Sequence, residues 1–88
     1  MHSKDLIIVN ERGLHARAAA KITRLASDYK ADVNISYNGM TVPAGSLMGI
    51  LMLGAAKGAK VTLMASGDDA DAALASLSAL IERKFDEE

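Results

Sequence analysis

Apolar residues along this 88-residue chain change their spacing repeatedly, and each change marks a new element. Leu6-Ile7-Ile8-Val9 is a short, β-branched run that ends at the turn-like Asn10-Glu11-Arg12-Gly13, which predicts a strand. From Ala16 to Tyr29 the spacing lengthens: Ala18, Ile22, Leu25, Ala26 and Tyr29 recur at helical intervals. Arg17, Lys21, Arg24 and Asp28 fall on the opposite side, so this helix is amphipathic with a mostly cationic stripe. Val33, Ile35 and Tyr37 then alternate with polar residues, as in a half-buried strand. Asn38-Gly39 is a strong hairpin signal, because both positions tolerate positive φ. Met40-Thr41-Val42 reads as the returning strand, stopped by Pro43, and Ser46 to Leu53 as a short helix, apolar nearly all round. Val61, Leu63 and Ala65 alternate as a last strand. Asp68-Asp69 opens a final helix with Ala73, Leu74, Leu77, Leu80 and Ile81 in one stripe. Acidic residues lie in its first turn and Arg83-Lys84 in its last, as the macrodipole favours.

The predicted order is βαββαβα. One tight hairpin and strands of alternating polarity point to an α+β fold, an antiparallel sheet covered by helices on one face. No repeat, linker or low-complexity tract interrupts it, so residues 1–88 read as a single domain. Half the residues are apolar, yet Phe85, Tyr29 and Tyr37 are the only aromatics; the core must be aliphatic.

Charge narrows the function classes. Ten basic and eleven acidic residues are spread along the chain, for a net charge of −1. A nucleic-acid binder needs a basic face to neutralise phosphates, and none is evident. Three aromatics make no stacking platform for bases. The absence of cysteine rules out disulfides, thiol chemistry and Cys-based zinc sites. The first residues hold too short an apolar run for a signal peptide, and no segment nears the roughly 20 apolar residues of a membrane span. A soluble cytoplasmic protein is expected.

The chemistry concentrates in GLHARAAA, residues Gly13 to Ala20. Gly13 permits a close turn, Leu14 can anchor it in the core, and His15 falls at the N-cap. There the first-turn N–H groups lack intrahelical partners. Most histidines in such places are structural, but this one shares its position with other useful groups. A helix start is an anion site and disfavours imidazolium, which leaves the ring neutral and nucleophilic. A phosphoryl group taken by the ring would bring its oxygens to the free N–H groups, and Arg17 can offer its planar fork to the same oxygens. No second histidine or carboxylate cluster accompanies His15, so phosphoryl acceptance suits the spacing better than metal binding. The other histidine, His2, is expected to sit at a ragged N-terminus.

GLHARAAA, together with the later GSLMGILMLGAAKGA, resembles the HPr family of histidine phosphocarriers of the bacterial phosphoenolpyruvate-dependent phosphotransferase system. The resemblance runs from the first strand to the last helix. It implies an open-faced β-sandwich of four antiparallel strands with three helices on one face. It also implies that His15 is the phosphoacceptor, modified on Nδ1, and that Arg17 assists transfer. Such a carrier turns over no free substrate, so it is not an enzyme in its own right, and neither cofactor nor metal is implied. Most family members carry proline directly after the arginine, where this chain has Ala18. Proline is tolerated in a first helical turn because its missing N–H has no partner there. Alanine at this place is expected to alter rates without abolishing function.

Ser46 precedes a helical run and reads as an N-cap. In HPr proteins of some bacteria the matching serine is phosphorylated by an ATP-dependent kinase, which slows phosphorylation of the histidine; the resemblance extends this regulation to Ser46. Ile50 and Leu53 can face the core, but Leu47, Met48, Leu51 and Met52 cannot all do so at 3.6 residues per turn. Exposed apolar patches of this kind mark docking surfaces, although a helix wedged into a core is also apolar all round. The resemblance favours docking: Ala16, Ala20, Lys21 and Arg24 of the first helix and Leu47, Met48, Leu51 and Met52 of the second would meet Enzyme I and EIIA domains. Arg17, Lys21 and Arg24 would form a cationic rim. The carrier is expected to be a monomer, with an HPr kinase/phosphorylase as a further partner where the organism has one. Three alternatives remain open: a purely regulatory homologue, a nitrogen-related counterpart in place of a sugar-transport carrier, and an unrelated small-ligand module of similar layout.

Overall fold

A computed structural model describes residues 2–87. Strand β1 (His2–Ile7) leads through a loop to helix α1 (Ala16–Ala26), followed by β2 (Asp32–Tyr37), β3 (Met40–Pro43), α2 (Leu47–Leu53), β4 (Lys60–Ser66) and α3 (Ala70–Glu82). A short turn of 3-10 type, Lys84–Asp86, follows α3. The order is the βαββαβα expected. The four strands pair antiparallel in the order β1-β4-β2-β3. The β2–β3 hairpin turns at Asn38 and Gly39, both with positive φ. Pro43 can end β3 without breaking a ladder because β3 is an edge strand.

Alternation decides which sheet face is covered. Leu6, Val33, Ile35, Val42, Val61, Leu63 and Ala65 are all buried and join Ile22, Ile50, Leu77 and Ile81 from the three helices in one core. On the other face Ile7 is 48% exposed, and Asn34, Ser36 and Thr62 are only half-buried. The core is aliphatic apart from one large aromatic. Phe85 is fully buried, although it lies beyond α3.

The strands are longer than hydropathy alone indicated at one end and shorter at the other. β1 begins at His2 and closes at Ile7, because polar residues 2–5 still pair with β4. His2 therefore sits in the sheet opposite Ala65, with its Nδ1 3.0 Å from the Asp71 carboxylate, and not at a ragged end. Helix α1 stops at Ala26, three residues before Tyr29. Ser27 turns its hydroxyl back onto the Arg24 carbonyl at 2.6 Å. The Asp69 carboxylate then takes the N–H groups of Lys30 and Ala31, both at 2.8 Å, and pulls the chain out of the helix. That carboxylate is consequently absent from its own helix start: Asp69 occupies the N-cap of α3 without a side-chain capping bond. Arg83 and Lys84 likewise fall beyond α3 and not in its last turn.

Two stitches hold the β1–α1 loop against the α2–β4 loop. Ile8 donates to the Ala59 carbonyl at 2.9 Å and accepts from Gly58 at 2.7 Å; farther on, Leu14 donates to the Ala55 carbonyl at 2.9 Å. Gly13, at φ +64°, lies so close to this second stitch that a Cβ would stand 2.7 Å from the Ala55 oxygen and 2.8 Å from the Ala56 Cα. Gly13→Ala is expected to destabilise the fold by more than about 2 kcal/mol, since left-handed backbone and overpacking each cost on that order. A urea-melt midpoint equal to that of wild type would show that the turn relaxes freely.

Candidate functional site

Where the stitched loop enters α1, His15 is the N-cap residue, in extended conformation (φ −77°, ψ 177°). Its carbonyl accepts the Ala19 N–H at 2.9 Å, the first bond of the helix. Its ring caps too: Nδ1 accepts the Arg17 backbone N–H at 3.3 Å. The bland and the chemical readings of this histidine thus share one geometry. The buried Leu14 and the Gly13 turn aim the ring, as the spacing suggested.

The other ring nitrogen has a partner that the sequence did not disclose. Nε2–H donates to Oε2 of Glu87 from the far end of the chain. With Nδ1 accepting and Nε2 donating, the bonds describe the neutral tautomer protonated on Nε2. The side chains of His15 and Glu87 are 15% and 11% exposed, so this pair is largely shielded from water. Oε1 of Glu87 accepts from Nδ2 of Asn10 at 3.1 Å, and the same amide donates to the Gly13 carbonyl at 2.9 Å. Asn10 is fully buried, and its Oδ1 has no hydrogen-bond partner among the described residues. Burial works to raise the Glu87 pKa, but the hydrogen bonds from His15 and Asn10, with the charge of Arg12, outweigh it. The carboxyl is held below its ordinary value and is ionised at neutral pH.

The C-terminal turn delivers this carboxylate. Lys84, Phe85 and Asp86 all have φ near +60°. Such left-handed backbone costs roughly 1–2 kcal/mol per residue without glycine. Burial of Phe85 opposes that cost, as do the Arg83–Asp86 pair at 2.9 Å and the hydrogen bond from Lys21 Nζ to the Phe85 carbonyl. Lys21 is half-buried, with its Nζ held on the Phe85 carbonyl. Arg17 and Arg24 are exposed, and no described residue pairs with the Arg17 guanidinium. Ala16 is exposed, Ala20 half-buried and Ala18 fully buried.

Beside this site lies α2, whose C-terminal exit carries Ala55 and Ala56. Ser46 caps the helix, its Oγ accepting the Gly49 N–H at 3.0 Å. Ile50 and Leu53 are buried, while Leu47 is 41% exposed and Met48 and Met52 are each 66% exposed. Leu51 is half-buried against the core. Helical geometry made this division legible in the sequence. Asn10, Phe85 and Glu87 are not legible as site residues in the sequence, where Asn10 reads only as part of a turn. Among the described residues no three His, Cys, Asp or Glu side chains converge on a metal position, and no helix is long and apolar enough to cross a membrane.

Comparison with known proteins agrees with this architecture along the whole chain. Residues 2–83 match the family model described as the PTS HPr component phosphorylation site. The chain is 46% identical to a phosphocarrier protein HPr of Cupriavidus necator, over 99% of this chain and 98% of that one. It is 44% identical to a phosphocarrier protein NPr of Shewanella violacea, over 96% and 92% of the two. Among solved structures, HPr-C-His from Thermoanaerobacter tengcongensis superposes with a TM-score of 0.96 at 41% identity, covering 100% of this chain and 99% of that one. A phosphocarrier protein HPr from Bacillus anthracis gives 0.87 at 36% identity, covering 91% and 95%. Sequence and fold therefore agree that the chain belongs to the HPr family of phosphocarrier proteins of the phosphotransferase system.

Proposed function

We propose that the protein accepts a phosphoryl group from phosphorylated Enzyme I on Nδ1 of His15 and passes it to EIIA domains. The observation that carries this reading is the arrangement around the ring: Nδ1 bears the lone pair, takes the Arg17 N–H in the first turn of α1, and lies two residues from an exposed guanidinium with which no described residue pairs. In acceptance the Nδ1 lone pair forms the N–P bond as the bond to the donor breaks. The arriving oxygens meet first-turn N–H groups, which lack intrahelical acceptors, and the positive end of the helix; the Arg17 N–H, which Nδ1 holds in the resting state, is released to them as the lone pair is used. Arg17 neutralises their charge through its planar fork. The exposed Leu47, Met48 and Met52, with Leu51 at their base and Arg17, Arg24, Ala16 and Ala20 alongside, serve as the docking face for both partners.

Ser46 acts as a second, inhibitory phosphorylation site in this reading. A phosphate of roughly −2 charge there borders the apolar face and imposes desolvation and like-charge repulsion on docking. Relatives named HPr and NPr resemble this chain almost equally, at 46% and 44% identity. That observation supports a second reading, in which the carrier serves a nitrogen-related relay and not sugar uptake. Phosphorylation of purified sugar-specific and nitrogen-related EIIA domains, compared at equal concentrations, separates the two.

Incubation with Enzyme I and phosphoenolpyruvate should place one acid-labile phosphoryl group on the wild-type protein and on His2→Ala, and none on His15→Ala. Labelling that persisted in the His15 variant would refute the assignment. Arg17→Lys keeps the charge but loses the fork, which the two side chains do not share. Its transfer rate should fall about tenfold, the equivalent of one charged hydrogen bond at about 1.4 kcal/mol per tenfold. Equal rates would mean that only charge matters at this position. Ser46→Asp should stay folded and accept phosphate roughly tenfold more slowly, while Ser46→Ala should transfer normally and lose about 1 kcal/mol of stability with its cap. An Asp variant as fast as wild type at low ionic strength, where repulsion is least screened, would leave Ser46 as a helix cap alone.

A further inference from the structure

We propose that Glu87 is a positioning residue for phosphoryl acceptance: its carboxylate, oriented by the buried Asn10 amide, keeps the His15 proton on Nε2 and balances the positive charge the ring gains at Nδ1. This inference rests on the carrier reading of His15 and deepens it. Three observations carry it. The carboxylate uses both oxygens, one on Nε2 of His15 and one on Nδ2 of Asn10, so it cannot rotate freely. Asn10 is fully buried and is itself fixed by the Gly13 carbonyl. The turn that presents Glu87 is locked by a buried phenylalanine and by Lys21, and it adopts left-handed backbone to do so. Strain of that kind persists only where the surroundings over-determine it.

The chemistry needs such a partner. A neutral imidazole can carry its proton on either nitrogen, and only the Nε2–H form has a lone pair on Nδ1. When that pair forms the N–P bond, the Nε2 proton stays in place, no base is required, and the ring becomes cationic. The helix start disfavours a positive ring, and the Glu87 carboxylate on the opposite edge offsets that penalty. On onward transfer the N–P bond breaks, its electron pair returns to Nδ1, and the ring is neutral again. Arg12 adds a favourable charge toward the carboxylate, and Arg17 lies on the Nδ1 side. Neither can accept the Nε2 proton, so the task falls to Glu87.

The test compares wild type with Glu87→Gln, Glu87→Ala, Glu87→Asp and, as a control for loss of a nearby surface carboxylate, Glu82→Gln, an exposed residue at the end of α3. The ¹⁵N shifts of the His15 ring, read without any partner protein, report the tautomer directly. Wild type should be almost wholly Nε2–H, with a substantial Nδ1–H population in Glu87→Ala. Acceptance from phosphorylated Enzyme I should slow roughly tenfold or more in Glu87→Gln and Glu87→Ala at unchanged KM, the scale on which partners that orient a histidine act elsewhere. Glu87→Asp should recover part of the rate, and Glu82→Gln should match wild type. Unchanged tautomer and rate in both Glu87→Gln and Glu87→Ala would overturn the role of Glu87 while leaving the carrier reading intact. A wild-type protein that took no phosphate from Enzyme I would overturn the carrier reading instead, with the tautomer still reporting whether Glu87 sets the ring.

Discussion

The hydrogen bond from the Leu14 N–H to the Ala55 carbonyl joins the start of α1 to the chain leaving α2, and the rest of the site is arranged around it. One such bond contributes only about 1 kcal/mol net. Its importance lies in what it excludes. With Gly13 pressed against Ala55 and Ala56, no side chain fits between the two loops, and His15 has one place to emerge. The Ile8 bonds to Gly58 and Ala59 repeat the stitch nearer the sheet, so the ring is referenced to β1 and to α2 together. The chemical group and the apolar face of α2 consequently lie on one side of the molecule.

Electrostatics around the ring are balanced between two opposed influences. On the Nδ1 side stand a helix N-terminus and Arg17, which favour anions. On the Nε2 side stands a shielded carboxylate, which favours a proton between it and the ring. An anion approaching Nδ1 meets attraction in front, and the negative charge behind the ring is already engaged by Asn10 and the Nε2 proton. Polarity across a single imidazole distinguishes this histidine from His2, whose ring pairs with Asp71, a solvent-exposed side chain.

Helix α2 shows how a small fold can afford an apolar surface. Ile50 and Leu53, with Leu51 half-buried beside them, seat seven residues of helix on the core. Leu47, Met48 and Met52 are then free of any packing duty, and unbranched methionine adapts to differently shaped partners. The short length of the helix helps, because a longer amphipathic helix would have to turn a wider apolar stripe inward.

Element order, the Asn38-Gly39 hairpin, the His15 cap, the Ser46 cap and the outward face of α2 were all determined by the sequence itself. Each depends on residues within one or two turns of each other, where period and turn chemistry leave a readable trace. Tertiary structure decided the end of α1, where Asp69 captures Lys30 and Ala31 and abandons its own helix start. It also decided the hydrogen bond of Lys21 to the Phe85 carbonyl and the return of Glu87 to the histidine. These contacts join residues 38 to 72 positions apart. A polar side chain that finds its partner across such a gap carries no periodicity of its own, and only the packed core, with Phe85 drawn beneath it, brings the two together.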